Sequence, residues 1–212
     1  AISVHSDDLN GDGHIDIIGA AAYMDKIAWW ENDGTNNMEN WIEHIVSDSI
    51  HLPREVHVED IDDDGDYDLL GAAGDLLLWW ENNDGTGDSW TEHIVEDAFI
   101  GCWNAYAEDI DSDGDIDVMA SFRDENTIAW WANDGTNNVE NWTEHVVAEE
   151  FHGAHCIHAA DVNNDGTIDI LGAGLWIGEI AWWANDGTNN VENWSQQDVV
   201  TQYIHACYVF TA

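Results

Sequence analysis

Four times in 212 residues the chain repeats an acidic nine-residue loop of the form D-x-[DN]-x-D-G-x-x-D. The copies run over 8–16, 60–68, 109–117 and 161–169, and their first residues lie 52, 49 and 52 positions apart. Self-similarity at a period of about 20–50 residues marks a repeat architecture, in which a unit buries its apolar surface against its neighbours. A chain built this way is constrained to stack like units, not to fold around a single central core.

Each unit reads alike. A short strand precedes the loop, as in Ser3-Val-His5, and a second follows it, as in Ile15 to Ala20 or Ile168 to Ala173. A third carries a Trp pair: Trp29-Trp30, Trp79-Trp80, Trp130-Trp131 and Trp182-Trp183. A turn rich in Asn, Asp and Gly comes next, and a fourth strand is expected to start at Trp41, Trp90, Trp142 or Trp194. Side chains of neighbouring strand residues point to opposite faces, so each Trp pair puts one indole on each side of its sheet. A sheet with one wet face has no use for that, whereas a propeller blade buries both. Four strands in about 50 residues is the measure of such a blade. The fold expected is therefore all-β, a β-propeller of four-stranded antiparallel blades. The repeats would cover about 1–52, 53–101, 102–153 and 154–205 of one domain, with an extra strand at 206–212. No helical period appears, and Pro53, the one proline, is assigned to a connection.

The loop chemistry points to calcium, a hard cation that takes about six to eight oxygens. The first copy offers Asp8, Asn10, Asp12 and Asp16 with the carbonyl of His14, and the second Asp60, Asp62, Asp64 and Asp68 with the carbonyl of Asp66. The third offers Asp109, Asp111, Asp113 and Asp117 with the carbonyl of Asp115, and the fourth Asp161, Asn163, Asp165 and Asp169 with the carbonyl of Thr167. Gly13, Gly65, Gly114 and Gly166 stand where the loop must turn. Carboxylates packed so closely repel one another unless a cation joins them, so about four calcium ions are expected. The loops are not EF-hands. Their twelfth positions are Gly19, Gly71, Ala120 and Gly172 in place of a bidentate Glu, and a strand follows in place of a helix.

These loops and strands resemble the FG-GAP/VCBS repeat family, the calcium-loop propellers of integrin α-chain heads and of many secreted bacterial proteins. The resemblance covers essentially the whole chain. It implies extracellular or cell-surface adhesion, ligand binding or a scaffold role, and no particular reaction. Such propellers usually have seven or eight blades, and this chain carries four repeats.

Charge narrows the partners. Against 45 acidic residues stand 3 basic ones, a formal net charge of −42. Such a surface repels nucleic acid and anionic membranes, and no apolar run is long enough to span a bilayer. Cys102, Cys156 and Cys207 form no metal-binding motif, and their odd number leaves at least one unpaired within the chain; buried free thiols are expected. Neither G-x-S-x-G nor H-E-x-x-H occurs, so the chain is expected not to be an enzyme. His44, His93 and His145 recur in register and give way to Gln197 in the fourth copy, which marks a structural position. His152, His155 and His158 are weighed as a transition-metal cluster and set aside, since they lie partly on an alternating strand.

In a propeller the calcium loops and the Asn-Asp-Gly-Thr turns share one face. The connections on the other carry all three basic residues, Lys26, Arg54 and Arg123, with Tyr23, His51, Trp103, Phe122, Phe151, His152, His155, Trp176 and His205. These connections diverge most between units, so a specific ligand is expected there. Two functions follow: a structural or adhesive module, or a carbohydrate-binding module using the aromatic and basic face, with Trp103 and Trp176 as sugar-stacking candidates. Asn141 and Asn193 head glycosylation sequons. Residues 206–212 align with 154–160 and supply a further first strand. It is expected either to pair with another copy, head to tail in a ring or filament, or to belong to a longer propeller.

Overall fold

The structure, a computed structural model, describes residues 1–35, 37–201, 206, 207 and 209. It is all-β apart from short 3₁₀ turns. Strands β1 (Ser3–His5), β2 (Ile17–Ala21), β3 (Lys26–Glu31) and β4 (Ile42–Ser47) form the first antiparallel sheet. The second comprises β5 (Pro53–Glu59), β6 (Asp68–Ala73), β7 (Leu76–Asn82) and β8 (Trp90–Glu96). The third comprises β9 (Cys102–Glu108), β10 (Asp117–Phe122), β11 (Thr127–Ala132) and β12 (Thr143–Ala148). The fourth comprises β13 (Ala154–Ala160), β14 (Asp169–Gly174), β15 (Glu179–Ala184) and β16 (Ser195–Val200).

The register is the same in all four. Ile17 faces Trp30, Leu69 faces Trp80, Val118 faces Trp131 and Ile170 faces Trp183. A register irregularity also recurs on each third strand, before Ala28, Leu78, Ala129 and Ala181. The glycine at the twelfth loop position now has a reason. A Cβ on Gly71 would lie 2.5 Å from Trp80 Cζ3, and one on Gly172 2.9 Å from Trp183 Cζ3. The position is small because the neighbouring indole lies across it.

Three apolar cores form between consecutive sheets. In each, the first Trp of one pair meets the second Trp of the next. Trp29 shares a core with Leu69 and Trp80, Trp79 with Val118 and Trp131, and Trp130 with Ile170 and Trp183. All six indoles are at most 3% exposed. Trp30 and Trp182, on the outer faces of the first and last sheets, are only half-buried. The expectation that every pair is buried on both sides therefore holds for the inner sheets alone, because an outer face has no neighbour. Among the described residues no apolar core joins the first sheet to the fourth. The innermost strands β1, β5, β9 and β13 lie side by side in that order. Their rings form a row, His5 on His57, His57 on Tyr106 and Tyr106 on His158, with centroids 5.2, 4.6 and 4.6 Å apart.

Some expectations need correcting. Pro53 opens β5 and does not lie in a connection; a first residue is one of the few strand positions a proline tolerates. The strand after the first loop starts at Ile17, since the Ile15 carbonyl accepts a hydrogen bond from Asn32 Nδ2. Trp142 and Trp194 precede β12 and β16, held by their indole N–H groups on the carbonyls of Thr136 and Thr188 (3.1 and 2.9 Å). Phe122 and Phe151 are buried core residues and do not belong to a ligand face. His205 and most of 206–212 lie outside the described residues, while Ala206 and Val209 pack with Cys156 and Ala173 on the last sheet.

Candidate functional site

At one end of the sheets stand the four loops. Each folds around its first Asp. Asp8 Oδ1 accepts from the Asp12 amide (3.0 Å) and Oδ2 from the Gly13 amide (2.9 Å). Asp60, Asp109 and Asp161 accept the corresponding pairs at 3.0–3.2 Å. Asp12, Asp64, Asp113 and Asp165 each accept from the amide two residues on, and Asn10, Asp111 and Asn163 do the same one step earlier. The turn glycines have φ of 89°, 95°, 101° and 92°, a conformation that L side chains avoid. The seventh-position side chains lean away onto the glycine of the adjacent turn: His14 on Gly34, Asp66 on Gly85, Asp115 on Gly135 and Thr167 on Gly187.

The ninth-position aspartates are essentially inaccessible, and each fastens its loop to the next turn. Asp68 accepts from the amides of Ile61 (3.2 Å) and Asn82 (2.8 Å), and Asp117 from those of Ile110 and Asn133 (both 2.9 Å). Asp16 and Asp169 repeat the pattern. Burial pushes all four carboxyls up, Asp68 to about 7 and Asp117 to about 8, despite those hydrogen bonds.

A divalent cation fits this donor set. Carboxylate oxygens of Asp60, Asp62 and Asp64 lie within 4.8 Å of one another, as do those of Asp109, Asp111 and Asp117. Asp62 Oδ1 is buried with no hydrogen-bond partner among the described residues. Burial, followed by the charge of Asp64, raises Asp62, and burial raises Asp60 against the hydrogen bonds from the Gly65 and Asp64 amides. A cation among these oxygens would supply the missing partner and relieve the repulsion.

One role escaped sequence reasoning. Sequence alone accounts for the first Asn of each Asn- and Asp-rich turn as turn chemistry. Asn82, Asn133 and Asn185 are buried and reach back into the preceding repeat, donating to the carbonyls of Leu9 (3.4 Å), Ile61 (3.2 Å) and Ile110 (3.2 Å). Farther along the turn, Asn137 donates to Asp62 (2.8 Å) and Asn189 to Asp111 (2.7 Å). The loops are thus braced by the next unit. The hint was the recurrence of Asn at one offset, but its direction needed the neighbouring sheet.

At the opposite end a cavity of about 580 Å³ opens near the innermost strands, lined by residues of all four repeats. It gathers Arg54, Trp103, Arg123 and His155. The guanidinium carbons of Arg54 and Arg123 stand 4.4 and 3.7 Å from the Trp103 ring centroid, and His155 lies against the same ring at 4.9 Å. Trp176, 58% exposed, stands at 5.8 Å from the Arg123 guanidinium. Arg54 Nη1 is fixed by the carbonyls of Gly74 (2.9 Å) and Cys102 (2.8 Å). Burial, then the like charge of Arg123, lowers its pKa. Arg123 pairs with Asp124 (3.0 Å). Glu55 on the cavity wall accepts from Ser3 Oγ (2.9 Å), and burial raises its pKa.

Of the rest of the expected ligand face, Tyr23 also lines the cavity, while Lys26 and His152 do not converge there. Lys26 is paired with Glu43 (2.7 Å), and His152 is exposed without lining the cavity. His152, His155 and His158 do not form a metal cluster among the described residues. His155 contacts the Cys207 carbonyl and Trp103, and His158 contacts Tyr106. His44, His93 and His145 stack on Trp29, Trp79 and Trp130 at 4.2–4.4 Å, in keeping with a structural position. Cys102 and Cys156 are buried free thiols, burial holding Cys156 up at about 11, and Cys207 is free and half-buried. Asn141 and Asn193 are exposed at the ends of 3₁₀ turns.

No curated protein matches the chain. Among solved structures, it is similar to an Agrocybe aegerita lectin described as recognising non-reducing terminal N-acetylglucosamine. The TM-score is 0.60 at 19% identity, over 94% of this chain and 52% of that one. It is also similar to the V. cholerae biofilm matrix protein Bap1, with a TM-score of 0.51 at 19% identity, over 91% of this chain and 29% of that one. The chain spans about half of the first and under a third of the second, and at such identity the likeness is one of fold. The model of the FG-GAP-like repeat matches residues 8–71, 60–120 and 109–172, each match running from one acidic loop through the next. Loop, strand register and these matches agree: the chain belongs to the FG-GAP-like repeat family.

Proposed function

We propose that this chain is an extracellular, calcium-stabilised module of β-propeller type that serves a structural or adhesive role and catalyses no reaction. The observation that carries the reading is the convergence of carboxylate oxygens in the acidic loops, with the buried Asp62 Oδ1 lacking a partner. Low-affinity calcium loops suit a medium rich in free calcium, and no described helix is long and apolar enough to cross a membrane. The biofilm matrix protein among the structural neighbours is compatible with such a setting. The test is a thermal melt in EGTA and in millimolar calcium; equal midpoints would sink the calcium assignment.

Assembly through the outer faces is part of this proposal. The faces bearing Trp30 and Trp182 correspond to surfaces that pack together three times inside the chain. A second copy can therefore meet them with the same complementarity, head to tail. Light scattering over a concentration series tests this, and a monomer at every concentration rules it out.

A second reading, carbohydrate binding, is favoured by the cavity that gathers Trp103 and two arginines, with Trp176 near Arg123, and by the lectin among the structural neighbours. A glycan array in calcium separates the two readings. A blank array leaves the structural role standing and removes the lectin.

A further inference from the structure

The cavity opposite the acidic loops has a feature that a site for neutral sugars does not need. Two of the three basic residues in a chain of net charge −42 are placed against one indole. Carboxylates are abundant everywhere, yet Arg54 forms no ion pair among the described residues. Its hydrogen bonds go to two backbone carbonyls, and both use Nη1. Nε and Nη2 have no acceptor among the described residues, although a guanidinium offers five N–H donors in a fixed fork. The like charge of Arg123 lies close by; Asp124, paired with Arg123, and Asp75 offset it in part, and neither carboxylate forms an ion pair with Arg54.

The Trp103 ring, expected as a stacking platform for sugar, already carries both guanidiniums and the His155 ring. It therefore acts on the ligand through the cations that it orients. The exposed indole in reach is Trp176, close to Arg123. Volume sets the size of the guest: about 580 Å³ falls within the usual range of small-molecule sites and suits one or two sugar rings.

The geometry points to a site for an acidic sugar in this cavity, its carboxylate held by Arg54 and Arg123 and its ring set towards Trp176. A guanidinium fork matches a carboxylate in two parallel hydrogen bonds. Arg54 is held in place by Gly74 and Cys102 before any ligand arrives, and such preorganisation lowers the entropic penalty of binding. The inference deepens the carbohydrate-binding reading and rests on it for the sugar part of the ligand.

The test is calorimetric titration of the calcium-loaded chain with glucuronate and N-acetylneuraminate. The companion probes are the neutral methyl ester of glucuronate, N-acetylglucosamine, acetate and sulfate. Arg54→Gln and Arg123→Gln are titrated alongside, with their melting midpoints checked against the parent chain. The expected result is binding of an acidic sugar, no binding of the methyl ester, and a loss of about thirtyfold or more in each variant that still melts like the parent. Arg54→Lys keeps the charge and loses the fork, so it should retain only part of the affinity. Equal binding of acidic and neutral sugars, unchanged in both Gln variants, overturns the inference and leaves the carbohydrate reading intact. Arginine-dependent binding of acetate or sulfate without any sugar overturns the sugar assignment and keeps the anion pocket. No binding of any probe removes both.

Discussion

The buried Asn of each turn offers a sharp test, because one residue type in one motif is predicted to matter very differently in different copies. In Asn133→Ala three hydrogen bonds disappear: Nδ2 to Ile61 O (3.2 Å), Nδ2 to Ile116 O (3.0 Å) and Gly135 N to Oδ1 (3.0 Å). Asn133 is 4% exposed, so water reaches the abandoned groups poorly. A buried group left without a partner costs about 1–3 kcal/mol. Carbonyls with a second lone pair recover part of this, and about 3 kcal/mol in all is a fair expectation. Asn32 occupies the same place in the first repeat but has no preceding loop to reach. Its two side-chain bonds, Nδ2 to Ile15 O and Gly34 N to Oδ1, stay within its own unit and in contact with solvent, so Asn32→Ala should cost about 0.5–1 kcal/mol. For a chain of this size about 1 kcal/mol moves the melting midpoint by about 2–4 °C. Asn133→Ala should therefore melt about 6–12 °C below the parent and Asn32→Ala within about 4 °C. The assay is tryptophan fluorescence against temperature in millimolar calcium. Equal shifts would refute the argument that the neighbouring repeat, and not the turn itself, gives the Asn its value.

Calcium at a hundredfold excess over Kd should add about 2.7 kcal/mol per occupied site, read as a rise in midpoint over EGTA. Trp131→Ala should cost about 3–5 kcal/mol through the cavity it leaves between the second and third sheets. Trp30→Ala, on the half-buried outer face, should cost clearly less in dilute protein, and equal losses would contradict the three-core description. His57 lies in the row of rings on the innermost strands with Nε2 buried and without a partner among the described residues. Burial, then the charges of His5 and His158, lowers it from 6.5 to about 3. A folded pKa below the unfolded one means that the unfolded chain takes up the proton first. Stability should then fall as pH drops through 6.5, by about 1–2 kcal/mol at pH 5, and the loss should be complete below about 3. His57→Phe should flatten that part of a calcium-saturated urea titration, and a pH slope identical to the parent's would show that His57 is not its source.

Much of this was legible in the sequence because local physics repeated four times. The acidic loop needs glycine at positive φ and oxygens at alternate positions, and both are written in the nine residues. The Trp pairs declared a sheet wanted from both sides, and Trp29 with Trp80, or Trp79 with Trp131, answer across neighbouring sheets. What failed to show were properties that depend on who stands next door. Phe122 and Phe151 look like loop aromatics until the sheets close over them. Trp103 looks like a ligand platform until two guanidiniums from different repeats cover it.

By itself the sequence determined the unit: its four strands, its loop and the ion its oxygens suit. These follow from contacts within about fifty residues, where spacing is enough. The tertiary structure decided which asparagines staple one repeat to the next, which indoles are truly dry, and that Arg54 and Arg123 meet at one ring while Lys26 turns away to Glu43. Arg54 and Arg123 are 69 positions apart in different repeats. No periodicity links them, and only the packing of the second repeat against the third makes them neighbours.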